Sequence, residues 1–530
     1  MTKSKRLQST ELDGTPRRRL TAVLVGAIVC LAAFVLYVRT LAPGVLYYDR
    51  PLLMDSAMLQ VHVYTLGITH PTGYPSYLML THLFTYLPFG DVAYRVNLAS
   101  AVYGVVAVVL MYVAGLMLSR RVFAAAIGAL VVAAGSTFWS MAVVAEVYTL
   151  NAVLILAPVV SLLFWRETNR DRYLLLAAFL VGLALTNHLT SGLVIPAGLL
   201  FVALVDRRAL LRWRLVLKGA GLFALGLVPY VYLPVRGFAD IPMRENDPSS
   251  FGRFYEMVSG TQLTNAYFGL NPVDLPGRLA FYGSQLVAEF GWGLLALAVV
   301  GAVVTSRRDR TVAALTGALY LGWLIHALGY GIYDVHLYFI PTYLMVGFWI
   351  SIGVNFLLRA VENATLSGGR KRAALTMIGA VFLFLPILGA AINYAEVDRS
   401  RDEKGRRTIE AVAGNVERGA TVLHNRSSLW YMVVVEGRRT DLALLDPFRP
   451  VGITTRDLSW PEELSAGDSN ARYATHDPTG VEAAREAAKN GPVYLLDQES
   501  VLIEDFRDAG VQIRSVEKGV LYEVIPPRRG

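Results

Sequence analysis

Between Leu20 and Leu41 the chain carries one charged side chain, Arg39, and is otherwise apolar or small apart from Thr21, Tyr37 and Thr40. A helix of about 20 such residues matches the hydrocarbon thickness of a bilayer, and in lipid the backbone must close its hydrogen bonds within the segment. Similar runs return near 96–118, 122–140, 146–165, 173–188, 190–206, 215–234, 284–305, 311–330, 337–358 and 373–394, which with the first, near 20–42, makes eleven. A chain built this way is expected to fold as an all-α polytopic membrane protein of about 11 transmembrane helices. Composition agrees, with 54% hydrophobic and 17% charged residues against about 25% charged in soluble domains.

The net charge of +8 would suit a nucleic-acid partner, but its carriers are short clusters between apolar runs. Ser119–Arg121, Arg166–Arg172, Asp206–Arg214, Ser306–Arg310 and Arg359–Arg372 all fall at alternate connections and all are rich in Arg or Lys. That is the positive-inside pattern, so these connections are expected in the cytoplasm and no nucleic acid is implied. The first run is long for a signal peptide and no small-residue cleavage pattern follows it. Residues 1–19, with Lys3, Lys5, Arg6, Arg17, Arg18 and Arg19, then form a cytoplasmic tail of a protein in the plasma or inner membrane. Residues 20–395 make the membrane domain, its long outer loops at 42–95 and 236–283. Residues 396–530 alternate short apolar runs (TVLHN, DLALLD, PVYLLD, VLYEVI) with helix-like stretches (VEAAREAAKN, ESVLIEDFRDAG), the pattern of a small extracytoplasmic α/β domain. The lone cysteine, Cys30, lies in the first apolar run and excludes a disulfide framework or thiolate metal site.

Unusual polar residues gather at the outer ends of the runs: Asp55, His62 and His70 in the first loop, Glu146, Asn187, His188, Arg236, Asp334 and His336. The inner ends carry mainly Arg and Lys. Each residue has a structural reading. Asp55 suits the N-cap of an interfacial helix, and His70 lies in the turn-forming HPTGYP. Glu146 would complement a helix dipole, Asn187 and His188 would satisfy turn backbone, and Arg236 would anchor at the interface. Asp334 and His336 alone define no metal site, and His62 is read as structural. The one-sided gathering, rather than any member of it, points to a site at membrane depth. No P-loop, GxGxxG, HExxH, CxxC or GxSxG pattern is present, no cofactor is called for, and a divalent metal stays open.

The segments YYDRPLLMDSAMLQ, TLGITHPTGYPSYLML, FWSMAVVAEVYTLNAVL, GLALTNHLTSGLVIPAG, LVPYVYLPVRG and NDPSSFGRF, in this order, resemble one family of polytopic proteins. That family, formerly a domain of unknown function, includes a vertebrate transmembrane protein O-mannosyltransferase and belongs to the GT-C superfamily of membrane glycosyltransferases. The resemblance implies a GT-C core, a polyprenyl-phosphate-linked sugar donor, and transfer at the extracytoplasmic face to a protein Ser/Thr, lipid or glycan acceptor. It also implies that Asp55, the acid of the first outer loop, is the catalytic base. The family's loop commonly reads Asp-Ser-Gly-Glu-Phe where this chain has Asp55-Ser56-Ala57-Met58-Leu59, and its second Pro after His is Thr72 here.

Such a transfer needs a base for the acceptor's proton and cations or donors for the departing phosphate. Arg236 would offer a guanidinium fork, with His70, His188, Glu146, Asn187, Asp334, His336 and Tyr74 as further substrate- or lipid-phosphate-binding candidates. Tyr47, Tyr48, Tyr74, Tyr77 and Trp139 would stack on sugar or form an interfacial belt. Two rival readings are a transporter or flippase of a lipid-linked glycan and an envelope polysaccharide-binding membrane protein. Alternating-access transporters usually show internal repeats and midplane polar residues, and this sequence shows neither.

Overall fold

The computed structural model describes residues 16–47, 55–261, 272–332, 334–445, 479–497, 503 and 506–525. Tyr48 and the start of the helix expected over 499–510 lie outside the described residues.

The first helix, α1 (Pro16–Arg39), leads to two short helices, α2 (Ser56–Thr65) and α3 (Pro75–His82). Long helices follow as α4 (Val92–Ser119), α5 (Val122–Ala133), α6 (Ser136–Ala142), α7 (Tyr148–Thr168), α8 (Asp171–Leu185), α9 (Val194–Asp206) and α10 (Trp213–Gly226). Short α11 (Tyr232–Gly237) and α12 (Phe251–Ser259) precede α13 (Leu275–Arg308), α14 (Arg310–Gly329), α15 (Ile340–Asn363) and α16 (Gly368–Val397). Among the described residues nine helical stretches are long and apolar enough to cross a membrane, and α5–α6, bent by 71°, makes a tenth.

The remaining expected span is α8, only 15 residues long. At 1.5 Å per residue it reaches about 22 Å, short of the hydrocarbon thickness of about 30 Å. Its two ends still belong to opposite faces of the bundle. Asp171 pairs with Arg212 at 2.8 Å, whereas the carbonyls of Leu185 and Thr186 accept from the Tyr230 hydroxyl and the Ser76 amide. The bent pair likewise has its ends at opposite faces of the bundle: Arg121 pairs with Glu362, and Trp139 Nε1 donates to Thr40 Oγ1 at 2.9 Å. Every Arg-rich connection named above therefore gathers on one face, and α2, α3 and the turns before α7 and α9 lie on the other.

Glycine sets how closely these helices approach. A Cβ on Gly182 or Gly226 would run into backbone atoms of the facing helix, so α8 and α10 meet backbone to backbone. Gly301 and Gly353 do the same for α13 and α15. Small residues at such crossings are the usual membrane solution, because dispersion rather than hydrophobic exclusion drives association there. Inside α13 the backbone at Gly291 turns to φ 66° and ψ 162°, a conformation only glycine adopts readily, so the long helix is two joined at a kink.

After α16 comes the mixed α/β region. Helix α17 (Lys404–Asn415) leads to β1 (Thr421–Leu423) and β2 (Ala443–Leu445), followed by α18 (Thr479–Ala487), β3 (Val493–Leu496), β4 (Gln512–Glu517) and β5 (Leu521–Ile525). The sheet order is β2-β1-β3-β5-β4, parallel across β2, β1 and β3 and antiparallel through β5 and β4. Four strands match the apolar runs read from the sequence. The fifth, β4, escaped because it lies at the sheet edge with none of its residues buried. This region docks through an apolar cluster in which Val45, Met58, Val61, Ala93 and Met243 meet Val412, Val422, Trp430 and Tyr431. That seam holds the start of β1's following loop over the first loop of the membrane domain.

Candidate active site

Asp55 occupies the N-cap position of α2, but its carboxylate caps no backbone amide. It points instead to Arg426 Nη2 at 2.8 Å and His70 Nε2 at 3.6 Å. Arg426 follows β1 directly, in a left-handed turn at φ 42°, and its side chain is 1% exposed. Its guanidinium also reaches Glu245, with Nη1 at 3.1 Å from Oε2 and Nη2 at 3.3 Å from Oε1. One fork thus joins two carboxylates from two different loops, a geometry that suits guanidinium and not ammonium.

Glu245 is placed by a short backbone pairing. Its amide donates to Ile68 O at 2.7 Å, and the Ile68 amide donates to Met243 O at 3.2 Å. His62 Nε2 lies 2.7 Å from Glu245 Oε1, so Nε2 carries the proton in the neutral ring. Burial alone would raise the Glu245 pKa, but Arg426 and His62 outweigh it and hold the carboxyl well below the usual range. His70 extends the cluster, its Nδ1 at 3.0 Å from Thr69 Oγ1 and its ring 5.1 Å from Tyr74. Tyr74 in turn lies against His188, with ring centroids 6.1 Å apart.

Two further acids face this group under different conditions. Ser56 Oγ donates to Glu146 Oε1 at 2.8 Å, and burial followed by the charge of Asp55 pushes the Glu146 pKa up. Asp334 is pushed up to about 7 by burial and then by Asp55; its Oδ1 is buried with no hydrogen-bond partner. His188 goes the other way, lowered to about 3 by burial, and its Nδ1 bonds Thr190. The site therefore combines a Glu245–Arg426 ion pair whose carboxyl is held low with two acids, Glu146 and Asp334, whose pKa values are raised and an imidazole, His188, whose pKa is lowered.

The structure brings together Asp55, His70, Tyr74, His188, Glu146 and Asp334. It sends Arg236 elsewhere: Nε donates to Leu66 O at 2.7 Å and Nη2 to Thr65 O at 2.9 Å, closing the end of α2. Those carbonyls lack intrahelical partners, which is why an arginine is useful there. Both side-chain polar atoms of Asn187 are buried without partners. No hydrogen bond or ion pair among the described residues joins His336 to the cluster. Tyr47 donates to Asp497 O and Trp139 to Thr40, so both aromatic groups link elements. Among the described residues no group of three or more His, Cys, Asp or Glu is arranged to hold a metal.

Three members of the cluster were not legible as site residues in the sequence: Glu245, Arg426 and His62. Arg426 carried a usable signal, because LHNR leaves the carboxyl end of a parallel strand, where α/β sheets place ligands.

Comparisons with known proteins fall on the same segment. Residues 55–210 match the family model described as the protein O-mannosyl-transferase TMEM260 N-terminal domain. The family resemblance read from the sequence holds over this stretch, which begins at Asp55. Protein O-mannosyl-transferase TMEM260 of Mus musculus is 35% identical over 193 residues, 35% of this chain. The chain spans only 27% of that relative's length. Among solved structures, ArnT from Cupriavidus metallidurans bound to undecaprenyl phosphate superposes with a TM-score of 0.61 at 13% identity, over 94% of this chain and 97% of that one. The Archaeoglobus fulgidus oligosaccharyltransferase gives 0.56 at 13% identity, over 90% and 69%. At such identity the likeness is one of fold, and the fold is of the GT-C type.

Proposed function

We propose that this protein is a membrane glycosyltransferase that moves a sugar from a polyprenyl-phosphate donor to an acceptor hydroxyl, with Asp55 as general base. The observation that carries the reading is the Asp55 carboxylate, freed from capping and fixed by Arg426 at 2.8 Å and His70 at 3.6 Å. An ion-paired carboxylate keeps its charge and its aim. The acceptor oxygen attacks the anomeric carbon as the bond from that carbon to the phosphate oxygen breaks. The acceptor's proton passes to Asp55, and the bond's electrons leave with the polyprenyl phosphate. His70 and Arg426 are the groups on hand to meet the added negative charge.

Similarity to protein O-mannosyl-transferase TMEM260 favours mannose as the sugar and a protein hydroxyl as the acceptor. The ArnT structure holds undecaprenyl phosphate, which supports a lipid-linked donor here. The positive-inside rule assigns the Arg-rich face to the cytoplasm, so the site and the α/β region lie outside. Purified protein incubated with polyprenyl-phosphate mannose and an acceptor peptide tests the reading. Release of polyprenyl phosphate together with mannosylated peptide supports it; donor bound or moved across vesicles without turnover would favour a flippase.

A further inference from the structure

A polar cavity of about 240 Å³ opens on the Arg-rich face, opposite the Asp55 cluster. Four arginines line it from different elements: Arg120 between α4 and α5, Arg166 on α7, Arg308 at the end of α13 and Arg359 on α15. Two acids answer them. Arg120 Nη2 lies 2.6 Å from Glu167, and Arg166 Nη2 lies 2.5 Å from Asp309. Arg308 lies over Phe356, its Cζ 6.0 Å from the ring centroid, and among the described residues neither Arg308 nor Arg359 pairs with a carboxylate. Arg120 Nη1 is buried there with no hydrogen-bond partner, which is costly unless something accepts its protons. The cavity thus has two surplus positive charges, an orphaned donor, and walls made by the apolar flanks of membrane helices.

Exposed arginines on this face are the general consequence of membrane topology, and they need not converge. Here four converge on one hollow, and its volume is below the range of about 300–1,000 Å³ for drug-sized ligands, hence headgroup-sized. Basic pockets between membrane helices on this side of a bilayer suit phosphate headgroups. We infer that the cavity seats the phosphate of an anionic phospholipid, held by Arg308, Arg359 and the free Nη1 of Arg120. A bound lipid would tie together α4, α7, α13 and α15 at the end remote from Asp55.

The test uses the full chain purified in mild detergent and analysed by native mass spectrometry and thermal melting, with phosphatidylglycerol and phosphatidylcholine as probes. Wild type is expected to retain phosphatidylglycerol and to melt higher with it than with phosphatidylcholine. Arg308→Gln/Arg359→Gln should weaken retention by about 30-fold, as expected for two basic contacts. Arg307→Gln/Arg310→Gln removes the same charge from the same face outside the cavity and should retain lipid as wild type does. Equal loss in both double variants, or no headgroup preference in wild type, would overturn the site. Inorganic phosphate is the last arm. If it stabilises wild type through Arg308 and Arg359 while the lipid does not, the lipid assignment fails in favour of a soluble phosphate.

Discussion

Arg426 is the residue on which the site turns. It is 1% exposed and Glu245 2% exposed, so each charge depends on the other. Removing one partner of such a buried pair typically costs about 3–5 kcal/mol, because the remaining charge stays desolvated. Arg426→Gln should therefore lower the melting temperature markedly as well as activity. Arg426→Lys should keep the charge but lose the fork across Asp55 and Glu245, melting between wild type and Arg426→Gln; a melting curve for Arg426→Lys equal to that of wild type would show that the fork contributes nothing. Asp334 gives a pH test with a fixed sign. Its folded pKa of about 7 lies above the unfolded value of about 3.9, so the native state holds the proton more tightly. The stability it contributes is present below about pH 4 and is lost as pH rises toward 7. Asp334→Asn should flatten the fall in melting temperature between about pH 4 and pH 7, and an unchanged slope would contradict the assignment. At this scale the one-sided gathering in the sequence singled out Asp55, His70, Tyr74, His188, Glu146 and Asp334, which the fold places close together. The sequence also named Arg236, whose guanidinium bonds the carbonyls of Leu66 and Thr65 at the end of α2, a placement that its position in the sequence does not reveal.

Helices were the most legible elements, since a span's length and apolarity are written in consecutive residues. What consecutive residues do not record is which helices touch, and that is set here by glycine. At Gly301 and Gly353 a Cβ would collide with the backbone of the partner helix, and backbone cannot step aside as a side chain does. Gly301→Leu should separate α13 from α15 and destabilise the protein by at least the 1–3 kcal/mol of ordinary overpacking, roughly speaking. Gly317→Leu in α14, where nothing lies within 4 Å of the added Cβ, is the matched control. Equal melting temperatures for the two variants would refute the close crossing. The short helix α8 shows the other limit of span reading. Its 15 residues merge in sequence with the next apolar run, and its contacts set its two ends at opposite faces of the bundle.

Across the whole molecule, the Asp55–Arg426 pair requires the first loop and the C-terminal region to share a face. The intervening chain must then cross the membrane an even number of times, which the bent α5–α6 pair and α8 complete. Because Cys30 is the only cysteine, a cysteine-free background needs one substitution. Ser250→Cys and Asn490→Cys should react with an impermeant thiol reagent from the outside, and Ser367→Cys only after the membrane is permeabilised. Any other partition would invert or break the topology. This long-range pairing is what local sequence patterns could not supply: half of the carboxylate clamp comes from a strand loop at the far end of the chain. The account rests finally on Asp55, and the most direct measurement is the turnover rate of sugar transfer from polyprenyl-phosphate mannose for wild type and Asp55→Asn. A lost general base predicts a fall of about 10²–10⁴-fold in turnover with donor binding retained. Turnover in Asp55→Asn equal to that of wild type would contradict it.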